Sequence, residues 1–211
     1  MEFSTILQEL RGEIDADDKV REKILPFGRE AVRKCSEAIK KTHKGLYEEA
    51  RTLISEVHQI IERTERDISG SDFMTKSRSL DVAYQELAEA ANLLSIVERG
   101  EFTSYHEYKI PSRPYLTGLA DVIGELRRAA LDSLRKDDVV RAENLLGFMD
   151  EILEGLQTFD YPNALIPDLR RKCDVGRSLV ERTRGDLTRA VGQSRLVKEL
   201  SDFEKRMKNG Q

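Results

Sequence analysis

Four acidic residues stand at helical spacing on two segments of the chain: Glu86 with Glu89, and Asp121 with Glu125. Side chains three or four residues apart on a helix are neighbours, so each pair sets two carboxylates side by side. Two carboxylates on a partly apolar surface repel each other and resist losing water. A hard divalent cation relieves both penalties. Four carboxylates from two helices form an all-oxygen donor set suited to Mg2+ or Mn2+, ions that keep several of their waters. A centre of that kind activates water and stabilises the charge that builds during phosphodiester hydrolysis. Each pair on its own also fits a plainer reading. Glu86 and Glu89 can sit at a helix border and reach water through their long stems. Asp121, Glu125 and Arg128 can form a solvated, internally paired face.

Competing chemistries lack their residues. Di-iron bundles use Glu-x-x-His pairs, and the residues three before His43, His58 and His106 are Lys40, Ser55 and Thr103. No Gly-rich phosphate loop, Ser/His/Asp set or Cys/His set is present. Cys35 and Cys173 are far apart in sequence and have no metal-ligand spacing; they read as reduced thiols of a cytoplasmic protein. One further pattern bears on ligands. Arg29, Arg33, Lys40 and Lys44 fall within about 60° of one another on a helix, opposite Ala31, Cys35, Ala38 and Ile39. Such a cationic row can track a phosphate backbone with salt-sensitive affinity, or it can be a solvated face. Lys76, Arg78 and Arg128 are further candidates for phosphate contacts.

The elements that position these residues are helices. Of the 211 residues, 35% are charged and 6% aromatic, with no Trp. That composition favours long amphipathic helices. The periodicity predicts a first helix over Ser4–Thr42, with Pro26 and Gly28 marking a kink or break, and Gly45 as its stop. A second covers Tyr47–Ile68, followed by a Ser69–Asp72 turn. The third, Met74–Glu98, carries Glu86 and Glu89. On it Asp81, Gln85, Asn92, Ser95 and Arg99 form a polar face opposite Ala83, Leu87, Ala90, Leu94 and Val97. Val82, Leu93 and Ile96 share a flank with the two glutamates.

Arg99–Arg113 is the longest irregular connection. The fourth helix, from Pro114 to Arg135, carries Asp121 and Glu125 beside Gly118 and Gly124. Two glycines inside a helix, each costing about 1 kcal/mol against alanine, imply a close approach of a ligand or another helix. A fifth helix over Val139–Leu156, a sixth over Asp168–Val191 and a seventh over Gln193–Lys208 complete the chain. The expected architecture is all-α, a single domain of about seven helices over residues 1–211. The start Met-Glu-Phe-Ser has no basic or apolar leader, and no run approaches the ~18 apolar residues of a membrane span. The net charge of −4 argues against a free-standing basic nucleic-acid module, but a local cationic stripe is compatible with it.

Two segments resemble a known family. Tyr84-Gln85-Glu86-Leu87-Ala88-Glu89-Ala90 is similar to the third-helix acidic motif of the Trax branch of the translin/Trax family. Pro114-Tyr115-Leu116-Thr117-Gly118-Leu119-Ala120-Asp121-Val122-Ile123-Gly124-Glu125-Leu126 resembles that branch's Asp-Tyr-Leu-x-Gly-x-x-Asp-x-x-Gly-Glu-Leu stretch, with Pro114 in place of the acidic first residue. Leu169–Leu187 resembles the family's late basic helix. The resemblance implies a translin-like helical fold and a Mg2+- or Mn2+-dependent endoribonuclease. It matches Glu86, Glu89, Asp121 and Glu125 one for one with the catalytic, metal-holding acids, and places Arg29 at a first-helix arginine. It further implies a closed, typically octameric shell with short single-stranded or duplex RNA inside. The short Arg99–Arg113 loop and the lack of long terminal extensions point to a prokaryotic or archaeal homo-oligomer. The alternative within the same family is a non-catalytic, translin-like nucleic-acid-binding protein.

Overall fold

The computed structural model describes residues 2–67 and 80–209, and every regular element among them is an α-helix. Among the described residues there are six: α1 Phe3–His43, α2 Tyr47–Asp67, α3 Asp81–Arg99, α4 Ser112–Leu134, α5 Val139–Gln157 and α6 Leu169–Asn209. The expected all-helical class holds. The Ser69–Asp72 turn, the Met74 start of the third helix, and Lys76 and Arg78 lie outside the described residues. None of the described helices is long and apolar enough to cross a membrane.

The chain divides into two compact units, Met1–Gly118 and Leu119–Gln211. In the first, α1, α2 and α3 pack on one another. α1 buries Ile24, Ala31, Cys35, Ala38, Ile39 and Thr42 along one stripe. Of the kink or break expected at Pro26 and Gly28, the break does not occur: the helix runs through both. Proline removes one backbone hydrogen bond and clashes with the preceding turn. Ile24 and Ala31 are nonetheless buried on either side of it, and that burial holds the helix together across the proline. Gly45 does stop the helix. At φ 75° it takes the left-handed turn, and the Leu46 N–H donates to the Lys41 carbonyl at 3.0 Å.

α3 departs from the amphipathic reading. Asn92 and Ser95, assigned to a polar face, are 0% and 2% exposed, whereas Val82 on the flank is 61% exposed. The reason is the Arg99–Arg113 connection, which folds back over the helix. The Thr103 N–H donates to Asn92 Oδ1 at 3.1 Å, the Thr103 hydroxyl donates to the Ala91 carbonyl, and the Tyr115 hydroxyl donates to the Thr103 carbonyl. A buried amide side chain is stable there because the loop supplies its partner.

In the second unit, Asp138 caps α5 by accepting from the Arg141 N–H at 3.0 Å. α5 packs on α6, and Arg184 reaches both oxygens of Asp150 at 2.9 Å. The sixth and seventh helices expected from sequence are one helix, α6, which passes through Gly192. A glycine costs a helix only about 1 kcal/mol and leaves its hydrogen-bond ladder intact. With no proline nearby, the helix continues.

Candidate functional site

In the first unit, α3 presents Glu86 and Glu89, both half-buried. Two neighbours fix this segment. Gly118 of α4 lies so close that a Cβ there would stand 2.5 Å from the Gln85 carbonyl oxygen and 2.7 Å from the Ala88 Cβ. Of the two glycines singled out in the sequence, Gly118 therefore marks a close helix crossing. Gly124 does not, since its nearest neighbour, Leu179 Cδ1, is at an ordinary 4.0 Å. Behind the acidic pair lies α1. Cys35, fully buried, has its thiol pushed well above its usual range, first by burial and then by the negative charges of Glu86 and Glu89. The glutamates thus sit against an apolar wall with a negative field, the setting that makes a cation favourable.

The cationic row is on the other side of that wall. Arg29, Arg33, Lys40 and Lys44 are all exposed. They project from the face of α1 opposite Cys35, and so away from Glu86 and Glu89. The lysines between them are engaged elsewhere: Lys34 pairs with Glu56 at 2.6 Å and Lys41 with Glu49 at 2.5 Å.

In the second unit, Asp121 and Glu125 lie one turn apart on α4, 29% and 27% exposed at their side chains. Arg128, itself exposed, pairs with Glu125 at 3.8 Å. Asp121 has a different partner. Lys172 Nζ of α6 lies 2.5 Å from both carboxylate oxygens. Lys172 was not singled out in the sequence. The basic character of Leu169–Leu187 is visible there, but the pairing partner is 51 residues away. The same α4–α6 seam holds Gly176, where a Cβ would stand 2.9 Å from Ile123 Cδ1. Further on, Arg127 donates to Thr183 Oγ1 at 2.8 Å and to Asp186 Oδ2 at 2.9 Å. The pairings of Asp121 with Lys172, Ile123 with Gly176 and Arg127 with Thr183 advance together, so the two helices run in the same direction. A cleft of about 980 Å3 opens elsewhere in this unit between the Phe159–Asp168 connection and the start of α6; neither Asp121 nor Glu125 lines it.

The donor chemistry of each pair fits a hard divalent cation, and the Lys172 ammonium already occupies a cation position on Asp121. Among the described residues of either unit, no three His, Cys, Asp or Glu side chains gather closely enough to hold a metal ion. Glu86 and Glu89 belong to the first unit, and Asp121 and Glu125 to the second.

Comparison with known proteins places this architecture. The chain is 34% identical over 184 residues to an uncharacterised protein of Methanocaldococcus jannaschii, covering 87% of this chain and 82% of that one. It is similar to AfC3PO in a complex with duplex RNA, with TM-score 0.77 and 31% identity over 89% of this chain and 97% of that one. The crystal structure of AfC3PO matches equally, with TM-score 0.77 and 32% identity over 89% and 97%. Apo-NeC3PO, at 18% identity and TM-score 0.76 over 87% and 96%, shares the fold. The Translin family model matches residues 15–184, and the chain belongs to the translin family.

Proposed function

We propose that this chain is an RNA-binding, metal-dependent endoribonuclease of the Trax type, with Glu86, Glu89, Asp121 and Glu125 as its catalytic and metal-holding acids. The observation that carries the RNA reading is the likeness, over 89% of the chain, to AfC3PO captured with duplex RNA. The catalytic reading is supported by the two half-buried acidic pairs, which stand in the segments that resemble the Trax motifs. These oxygens would hold Mg2+ or Mn2+, which when bound would supply Lewis-acid stabilisation of the phosphodiester's developing charge and a more acidic water. The chain's own part is to place the donors. Cys35 and its apolar neighbours exclude water behind Glu86 and Glu89. The α4–α6 seam fixes Asp121 and Glu125. Arg29, Arg33, Lys40, Lys44 and Arg128 contact RNA phosphates, as do Lys76 and Arg78. The same reading includes a cytoplasmic homo-oligomer, an octameric closed shell enclosing short single-stranded or duplex RNA. Cleavage of labelled short RNA with and without EDTA tests the enzyme. Turnover that survives EDTA, or is unchanged in Asp121→Asn and Glu125→Ala, overturns it. Native mass spectrometry that finds a monomer overturns the shell.

One observation favours a second reading, a non-catalytic nucleic-acid-binding protein. Lys172 holds both oxygens of Asp121, so the acid has a structural role without any metal. Tight RNA binding with no metal-dependent turnover decides for it.

A further inference from the structure

The first and last helices, α1 and α6, each end in an arm that the core does not use. Among the described side chains, α1 buries none before Ile24 and α6 buries none after Leu187. Both arms carry large apolar residues at alternating spacings of four and three. On α1 they are Phe3, Leu7, Leu10 and Ile14, 48–73% exposed. On α6 they are Leu196, Leu200, Phe203 and Met207, 55–62% exposed. That spacing is the repeat of a coiled-coil seam, which is stable only against a second helix. Contiguous apolar surface of this kind marks an interaction site. The two seams match in length, and polar residues bound both: the repeat meets Asp17 and Arg21 on α1, and Arg189 and Gln193 on α6. Both seams lie outside residues 15–184, the part that matches the Translin family model, so the family match does not account for them.

We propose that the α1 arm of one copy packs against the α6 arm of a second copy in a parallel two-helix seam. This rests on the homo-oligomer reading above and names a contact that builds the oligomer. Charge selects the occupant. Residues 3–22 hold six acidic and three basic residues, whereas residues 189–208 hold three acidic and six basic. Pairing either arm with its own kind sets like net charges together, and pairing unlike arms sets opposite charges together. The positions flanking the seam agree. With Leu7 beside Leu200 and Leu10 beside Phe203, a parallel pair brings Arg11 to Glu199 and Asp18 to Arg206. Asp18 gives up for this only an exposed contact with Arg21 at 3.5 Å, a weak one. Parallel self-pairs instead oppose Glu13 to Asp18 on α1 and Glu199 to Glu204 on α6. An antiparallel pair of unlike arms opposes Glu13 to Glu199. The contact is heterologous: each copy offers one arm to one neighbour and the other arm to the next, and such contacts close into a ring or run on as a fibre.

Two experiments on the full chain test the seam. In the first, Leu10→Cys protein is mixed with Phe203→Cys protein and oxidised, and mass spectrometry of the peptides reads which positions are joined. A reducible link from residue 10 of one copy to residue 203 of another is expected. In the second, sedimentation over a dilution series compares wild type, Asp18→Arg, Arg206→Glu and the double variant. Each single variant is expected to weaken association by about two- to fivefold per contact, the scale of one exposed ion pair. The double variant, which restores the pair with its signs exchanged, returns toward wild type. All four positions are exposed on arms outside the core, so folding is not at stake. Absence of the 10–203 link overturns the proposal, whether the products are 10–10 and 203–203 links or none. Association unchanged in both single variants, or a double variant no better than either, also overturns it. In each of those cases a wild-type oligomer leaves the homo-oligomer reading intact. A wild-type protein that stays monomeric overturns the seam and that reading together.

Discussion

A Cβ on Gly118 would stand 2.5 Å from the carbonyl oxygen of Gln85, a distance at which something has to move. The obstacle is backbone, not the end of a flexible side chain, so the strain falls on the crossing itself. That crossing is where α4 meets the turn of α3 that carries Glu86 and Glu89. Gly118→Ala is expected to lower stability by about 1–3 kcal/mol, the usual cost of overpacking, against a helix-propensity gain of about 1 kcal/mol. Gly124→Ala meets only Leu179 at 4.0 Å, so the propensity gain stands alone and the protein is expected to be unchanged or up to about 1 kcal/mol more stable. Urea unfolding of the two variants checks this, and a Gly118→Ala protein as stable as wild type contradicts the close crossing.

Cys35 makes stability depend on alkaline pH. Burial first, then Glu86 and Glu89, raise its thiol above the ordinary value of 9.0. The folded state therefore holds the proton more tightly than the unfolded chain. The stabilisation from this raised value is complete below pH 9.0 and is lost as pH rises above it. The expected slope is at most about 1.4 kcal/mol per pH unit for one group. Melting curves from about pH 8 to about pH 10 should show the decline in wild type and a shallower one in Cys35→Ala, at whatever stability that variant has. The native thiol should also resist alkylation at about pH 9, since the thiolate is the reactive form. Rapid labelling of Cys35 in folded protein would contradict its placement.

Asn92 offers a test of the loop that covers α3. It is fully buried, and its Oδ1 accepts the Thr103 N–H at 3.1 Å while its amide donates to the Ala88 carbonyl at 2.8 Å. Asn92→Ala leaves the buried Thr103 N–H without its acceptor and opens a small cavity. The expected loss of stability is about 1–3 kcal/mol for the unsatisfied donor. Amide exchange at Thr103 should quicken in the variant. Unchanged exchange at that amide would mean the bond does not hold the loop.

How far the sequence carries the structure follows from the range of each interaction. The second and fifth helices start at Tyr47 and Val139 as expected, because a glycine stop and an Asp138 cap act within a few residues. Pro26 and Gly192 are misleading for the opposite reason. A local breaker is outweighed by burial in one case and by an unbroken hydrogen-bond ladder in the other. The polar side of α3 is misread because Asn92 finds its partner in Thr103, eleven residues on and beyond the helix end. At the candidate site, the spacing of Glu86 with Glu89 and of Asp121 with Glu125 is legible as neighbouring carboxylates. Lys172 is not legible, because nothing local in Leu169–Leu187 distinguishes it from Arg170 or Arg171; only the α4–α6 seam does.

The cationic row on α1 gives the last prediction. Arg29, Arg33, Lys40 and Lys44 are exposed and lie on the side of the helix opposite Cys35, the residue that feels the charges of Glu86 and Glu89. A whole helix thickness, about 10 Å, separates the row from that acidic pair. This is close to a Debye length in physiological salt, so the two act independently on a ligand. Arg33→Ala and Lys40→Ala are expected to weaken RNA binding and to flatten its salt dependence by about 0.7–0.9 in log–log slope for each phosphate that is no longer neutralised. They should leave Mn2+ affinity within about twofold of wild type, as befits a screened interaction at that distance. Fluorescence anisotropy with a labelled short RNA between about 50 and 200 mM salt measures the first effect, and calorimetry with Mn2+ the second. An unchanged salt slope in the double variant removes the row from the RNA interface. A change in Mn2+ affinity of about tenfold or more, well beyond what a screened charge at that distance supplies, shows that the row communicates with Glu86 and Glu89, contrary to its position on α1.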